Sequence, residues 1–144
     1  MEISSSVIDA LVGYARSELP NEACGYLVGD ADGCVSRFVP ITNAAASPTR
    51  FMFDPLEQLA AEQAIETAGD TVVGVAHSHP TGAATPSTTD VDDAGRYDPC
   101  GVFLHAIVEP GSGMVRWFRI SGGEVESVTP VVSPIRGSRP SGFA

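Results

Sequence analysis

The segment from Thr71 to Ser78 reads Thr-Val-Val-Gly-Val-Ala-His-Ser and runs on into His79-Pro80. Its valines predict a strand. Successive strand side chains point to opposite faces, so two histidines one residue apart project from the same face. Seven residues separate His79 from Ser87, and with Asp90 the pattern closes within fourteen consecutive residues. The strand delivers both histidines at its C-terminal end, and a shared ion would bring Asp90 to them. Zinc accepts imidazole nitrogen and carboxylate oxygen, and a catalytic site commonly uses three protein ligands with the fourth position left to water. His77, His79 and Asp90 match that set, so the expectation is one Zn2+ per chain at a hydrolytic centre.

Ordinary explanations compete for each piece. Isolated histidines are common, and Ser87 with an acidic residue three positions on is a capping box that starts a helix. The conjunction is harder to dismiss, since it should arise by chance in roughly one sequence in a few thousand of this composition. The capping box is also compatible with a metal site, because a helix beginning at Ser87 would hold Asp90 rigidly. A hydrolytic metal needs a general base, and the motif contains none. Among the acidic residues outside it, Glu22 stands just before the apolar run Cys24-Gly25-Tyr26-Leu27-Val28-Gly29, where it could overhang the end of a neighbouring strand. Its competing role is a solvated turn residue.

The rest of the chain sets the frame. At 144 residues it is long enough for one domain with its own core. The net charge of -10, with eight arginines and no lysine, argues against nucleic acid as a partner. Cys24, Cys34 and Cys100 are an odd number at no finger spacing and predict reduced thiols. No membrane-spanning run and no basic leader is present, so the expected place is the cytoplasm.

Hydrophobic spacing predicts a helix over 6–19, a hairpin of strands 24–28 and 35–39, a helix from Pro55 to about Ala68 capped by Asp54, and the strand 71–78. A short helix from Ser87 to about Tyr97 follows, then strands 102–109, 114–120 and 124–128. This order predicts a mixed sheet flanked by helices, an α/β or α+β layer arrangement over residues 1–132, with 133–144 as a mobile tail. His105 is expected to be a sheet or core histidine, Cys24 a small buried residue, and Trp117 and Phe118 strand aromatics.

A distant Glu, then His-Ser-His-Pro, Ser87 and Asp90, resembles the JAMM motif of the MPN-domain metallopeptidases. The segment Asn21-Glu22-Ala23-Cys24-Gly25-Tyr26-Leu27-Val28-Gly29 is similar to that family's sequence around its glutamate. The resemblance implies an MPN/JAB1 domain of the cytidine-deaminase-like type with a curved mixed sheet. It implies His77, His79 and Asp90 as zinc ligands, Glu22 as general acid/base and Ser87 as the oxyanion donor. Thr42-Asn43-Ala44, Ser47-Pro48-Thr49, Asp54 and Glu57-Gln58-Leu59 look like the actinobacterial members that release cysteine from a ubiquitin-like sulfur carrier. The loop Pro80-Thr81-Gly82-Ala83-Ala84-Thr85-Pro86 departs from that subgroup and is closer to other JAMM relatives, including RadC-like proteins.

The implied partner is a ubiquitin-like or sulfur-carrier protein ending in Gly-Gly, with neither nucleic acid nor membrane, and a homodimer is compatible with the domain type. Three other readings stand beside it. One is a deubiquitinase-like or desampylase-like isopeptidase acting on lysine conjugates. Another is a non-catalytic MPN scaffold, which the full ligand set argues against. The third is a RadC-like nucleic-acid-associated protein, which the charge argues against.

Overall fold

A computed structural model describes residues 1–134. The elements in chain order are β1 (Glu2–Ser4), α1 (Ser5–Ser17), β2 (Cys24–Gly29), β3 (Val35–Ile41), α2 (Pro55–Thr67), β4 (Thr71–Ser78), α3 (Thr88–Tyr97), β5 (Leu104–Glu109), β6 (Met114–Ser121), β7 (Glu124–Val128) and β8 (Val131–Ser133). All eight strands form one mixed sheet in the order β7-β6-β5-β4-β2-β3-β1-β8. Four of the seven pairs are antiparallel; β1 runs parallel to both β3 and β8, and β4 runs parallel to β5, to which it is joined by the crossover through α3. No helix among the described residues is long and apolar enough to cross a membrane.

The sheet buries both faces. On one, α1 lays down Val7, Leu11 and Ala15, one per helical turn, against Leu27, Ala76, Ala106 and Trp117. On the other, Ile65 of α2 packs with Tyr26, Val28, Ile41 and Val75. Strand alternation assigns His77 to the face of Val75 and His105 to the face of Ile107, both on the α2 and α3 side of the sheet.

The predicted helices and central strands are present, with the expected caps. Asp54 accepts from the N–H groups of Leu56 and Glu57, and Ser87 forms a complete capping box with Asp90. Some boundaries differ for identifiable reasons. β5 begins at Leu104 rather than Val102, because the Asp98 carboxylate takes the N–H groups of Val102 and Phe103 at 2.9 and 3.0 Å and holds them out of the ladder. β3 extends through Pro40, which has no N–H to donate; there only β2 pairs with it, since β1 touches β3 at Val35 alone. β1 and β8 are three-residue strands that pair with each other, too short to show a period. β8 ends at Ser133, and the remainder of the predicted 133–144 tail, from residue 135, lies outside the described residues.

Gly74 sits where β4 meets β5, and a Cβ there would lie 2.1 Å from the Leu104 carbonyl oxygen. Backbone cannot yield as a side chain can. Gly74→Ala is expected to cost at least the upper end of the 1–3 kcal/mol typical of overpacking, read as a lowered urea midpoint.

Candidate metal centre

β4 delivers the two histidines and α3 delivers the carboxylate. His77 is the penultimate residue of β4, and the His79 N–H donates to the Val108 carbonyl at 2.9 Å, so the pairing with β5 continues past the strand end. Nε2 of His77 and Nε2 of His79 lie 3.1 Å apart, and each lies 3.1 Å from Oδ2 of Asp90. His77 and Asp90 are 5% and 11% exposed, so the group is largely shielded from water.

Local structure fixes each member. Nδ1 of His79 sits 2.7 Å from the Ala83 carbonyl, which can only accept, so the proton is on Nδ1 and Nε2 is turned toward the group. The loop that supplies this carbonyl is fastened by the Ala84 N–H to Glu109 Oε2 at 3.2 Å. Asp90 is held by the capping box: the Ser87 N–H donates to its Oδ2 at 2.9 Å, and its own N–H donates to Ser87 Oγ at 3.0 Å. The ring of Phe51 stacks on His77 at a centroid distance of 4.7 Å and an angle of 22°.

Glu22 reaches the same place by strand register. β2 pairs antiparallel with β4 through Cys24 opposite His77, and the ladder continues as the Ser78 N–H donates to the Ala23 carbonyl at 3.0 Å. One residue further, Glu22 stands opposite His79, and its side chain falls on the face of both histidines. The sequence placed it at the strand end but left open a solvated turn; it is buried, at 4% exposure, and Oε1 has no hydrogen-bond partner among the described residues.

The electrostatics follow from this packing. Burial pushes the Glu22 carboxyl up to about 7, partly offset by His79 and reinforced by Asp90. Burial also opposes ionisation of Asp90, but hydrogen bonds from His77 and His79, the His77 charge and the Ser87 N–H outweigh it and hold the carboxyl well below the usual carboxylate range. For His79, burial disfavours the proton, and hydrogen bonds to Asp90 and Ala83 with the charges of Asp90 and Glu22 outweigh it, so its pKa is raised. Two imidazole nitrogens and a carboxylate oxygen converge on one point, an arrangement that a bound cation can occupy. The ligand atoms lie within 4.8 Å of one another, and the donor set fits a metal ion.

Ser87 is exposed at the rim as the N-cap of α3, its hydroxyl oxygen already an acceptor. His105 stays outside the group: it is 3% exposed, with Nε2 3.5 Å from Asp98 Oδ2 and Nδ1 3.5 Å from Tyr97 Oη. Cys24 is buried, and burial with the Glu22 charge pushes its thiol up to about 12, which makes it inert. Two residues that shape the site were not singled out for it from the sequence. Phe51 and Asn43 lie in the irregular stretch between β3 and α2, where no periodicity assigns a side chain to a face.

A mixed sheet flanked by helices thus gathers two histidines and an aspartate, the donor set of a metal centre, at one end of its central strands. Residues 4–120 match the family described as prokaryotic homologs of the JAB domain, and the chain belongs to that family as a JAMM-type peptidase. The chain is 37% identical over 124 residues to the CysO-cysteine peptidase of Mycobacterium tuberculosis, covering 85% of this chain and 84% of that one. It is also 37% identical to the desampylase of Haloferax volcanii over 100 residues, 65% of this chain and 72% of the relative. The solution structure of a Desulfitobacterium hafniense protein, 31% identical, superposes with a TM-score of 0.80 over 92% of both chains. A JAB1/MPN domain protein of Archaeoglobus fulgidus shares the fold at 22% identity and a TM-score of 0.61, over 92% of this chain and 98% of that one.

The raised Glu22 pKa has a measurable cost in metal-free protein. An unfolded chain loses this proton near pH 4.5 and the folded chain near 7, so ionisation works against the fold as pH rises through that window. Relative to wild type, metal-free Glu22→Gln is expected to show little difference at pH 4.5 and a gain of about 3 kcal/mol above pH 7, at roughly 1.4 kcal/mol for each of the ~2.5 pKa units between 4.5 and 7. Urea denaturation in chelator at both pH values measures it. A pH-independent difference would mean that the carboxyl is not held in a site that resists its charge.

Proposed function

We propose that the peptidase is zinc-dependent and hydrolyses the amide bond after the C-terminal glycine of a ubiquitin-like or sulfur-carrier protein, principally releasing cysteine from a carrier–cysteine adduct. The observation that carries this reading is the buried, unpaired Glu22 carboxyl on the strand end opposite the His-His-Asp group. The relative named CysO-cysteine peptidase supports the substrate class. The reading assigns the activity to residues 1–132 and a cytoplasmic place to the protein.

When bound by His77, His79 and Asp90, zinc supplies Lewis acidity for the scissile carbonyl and lowers the pKa of a water toward ~7. Glu22 takes the proton of the attacking water, and a carboxyl whose pKa lies at about 7 can accept and return a proton at neutral pH. As the C–N bond breaks, Glu22 passes that proton to the departing amine. The Ser87 oxygen accepts the Asp90 N–H, which leaves its own hydroxyl proton free to donate to the tetrahedral oxyanion. An extended carrier tail would bind through main-chain hydrogen bonds, and Gly-Gly would pass a narrow slot beside the ligands.

The relative named Desampylase supports a second reading, in which the amide joins the carrier glycine to a protein lysine. Metal analysis of wild type and Glu22→Ala, each assayed on a carrier with C-terminal cysteine and on a carrier–lysine conjugate, separates the two. The expected result is about one zinc per chain in both proteins, the stoichiometry of a three-ligand site, with cysteine released only by wild type. Cleavage confined to the lysine conjugate selects the second reading, and a zinc-free wild type overturns both.

The roles have distinct signatures. Asp90→Ala is expected to lose metal and turnover together. Ser87→Ala is expected to keep the metal and lose about 10²–10³ in kcat, the size of one oxyanion donor, together with about 1 kcal/mol of stability from the lost helix cap. A metal-free Ser87→Ala would assign the residue to capping alone.

A further inference from the structure

The backbone of Glu22 precedes β2 and has no strand partner of its own. It is gripped instead by the segment between β3 and α2. The Glu22 N–H donates to the Ser47 carbonyl at 2.9 Å, and the Glu22 carbonyl accepts from Nδ2 of Asn43 at 3.0 Å. Asn43 is buried, and its amide uses all four of its hydrogen-bonding positions. Besides Glu22, Nδ2 donates to the Arg50 carbonyl at 2.9 Å, while Oδ1 accepts the N–H groups of Ala45 and Met52 at 3.0 Å each. The segment is closed at its base by a bridge between Asn43 and Phe53 and by the Ala44 N–H to the Met52 carbonyl at 2.7 Å. Three of the four amide bonds hold this loop together, and the fourth ties it to Glu22. The same loop carries Phe51, whose ring lies on His77.

We propose that Asn43 is a positioning residue for the peptidase reaction: it locks the 43–53 loop into one shape and, through that loop, fixes Glu22 relative to the His77 ring. Glu22 carries an unpaired carboxyl and no ladder bond of its own, so its aim depends on the peptide groups on either side of it. The loop holds both of those groups, the second together with Ser78 Oγ, which accepts the Ala23 N–H at 2.8 Å, and it also holds one ring of the ligand set. Removing the Asn43 donors frees the Glu22 carbonyl without touching the carboxyl, the histidines or Asp90. The inference rests on Glu22 as the general base for its kinetic consequence, and on geometry alone for its structural one.

The test uses the full-length, metal-loaded protein with Asn43→Ala and Asn43→Asp; the latter keeps the acceptor that binds Ala45 and Met52 and loses only the two donors. Hydrogen exchange at the Glu22 amide is expected to quicken at least about tenfold in both variants while the Leu27 amide in β2 stays protected. Metal content should match wild type, KM should hold within about twofold, and kcat should fall about 10–100-fold, the usual range for a partner that orients an active-site group. Wild-type protection of the Glu22 amide, or a kcat loss that merely follows loss of metal or of the folded state, would overturn the proposal. Should Asn43→Ala fail to fold, Asn43→Asp decides by the same readouts. If Glu22→Ala turns over as fast as wild type, the assignment of Glu22 as base fails, while the exchange measurement still decides whether Asn43 positions it.

Discussion

The antiparallel register of β2 on β4 is the constraint on which the rest of the site depends. Pairing Cys24 with His77 sets Glu22 against His79 one step beyond the ladder. A shift of one residue would turn Glu22 to the α1 face, away from both histidines. The two strands sit at the centre of the sheet with neighbours on both sides, so register errors would have to propagate through β3 and β5. Gly25 and Gly74 tighten this further, because a Cβ at either would run into the backbone of the adjoining strand.

Asp90 joins two systems that a sequence motif lists side by side. As the N3 residue of α3 it completes the capping box with Ser87, and the same Oδ2 that accepts the Ser87 N–H faces both histidines. The capping explanation for Ser87 and Asp90 is therefore correct, and it is also the device that aims the carboxylate. Hydrogen bonding holds this group ionised, whereas Glu22, buried without a partner, resists ionisation. Two carboxyls facing the same histidines are thus driven apart in pKa, Asp90 by the hydrogen bonds and charge it receives and Glu22 by burial.

Much of this could be read from the sequence because it is written in local code. Strand alternation joins His77 to His79, a three-residue interval joins Ser87 to Asp90, and Asp54-Pro55 opens a helix, each within one turn or two residues of chain. What could not be read depends on contacts remote in sequence. Nothing local says that Phe51 will lie on His77 or that the Asn43 amide will reach Glu22 across twenty-one residues. The early start predicted for β5 failed for a related reason, since valine and phenylalanine favour a strand but Asp98 had already claimed their N–H groups. The burial of Glu22 was likewise invisible, because exposure belongs to the assembled sheet and not to a turn.

The loop between His79 and Ser87 contributes to the centre almost entirely through its main chain. The Ala83 carbonyl orients His79, the Ala84 N–H anchors the loop to Glu109, and only the small Ala84 side chain enters the core. Thr81, Gly82 and Thr85 are exposed. Its sequence is therefore almost uncoupled from the geometry of the His-His-Asp group, so the loop can vary while that group stays assembled. Divergence here can rewrite the surface an incoming protein meets without disturbing the chemistry beneath it, so loop identity is a poor guide to mechanism and a natural place for substrate preference to drift.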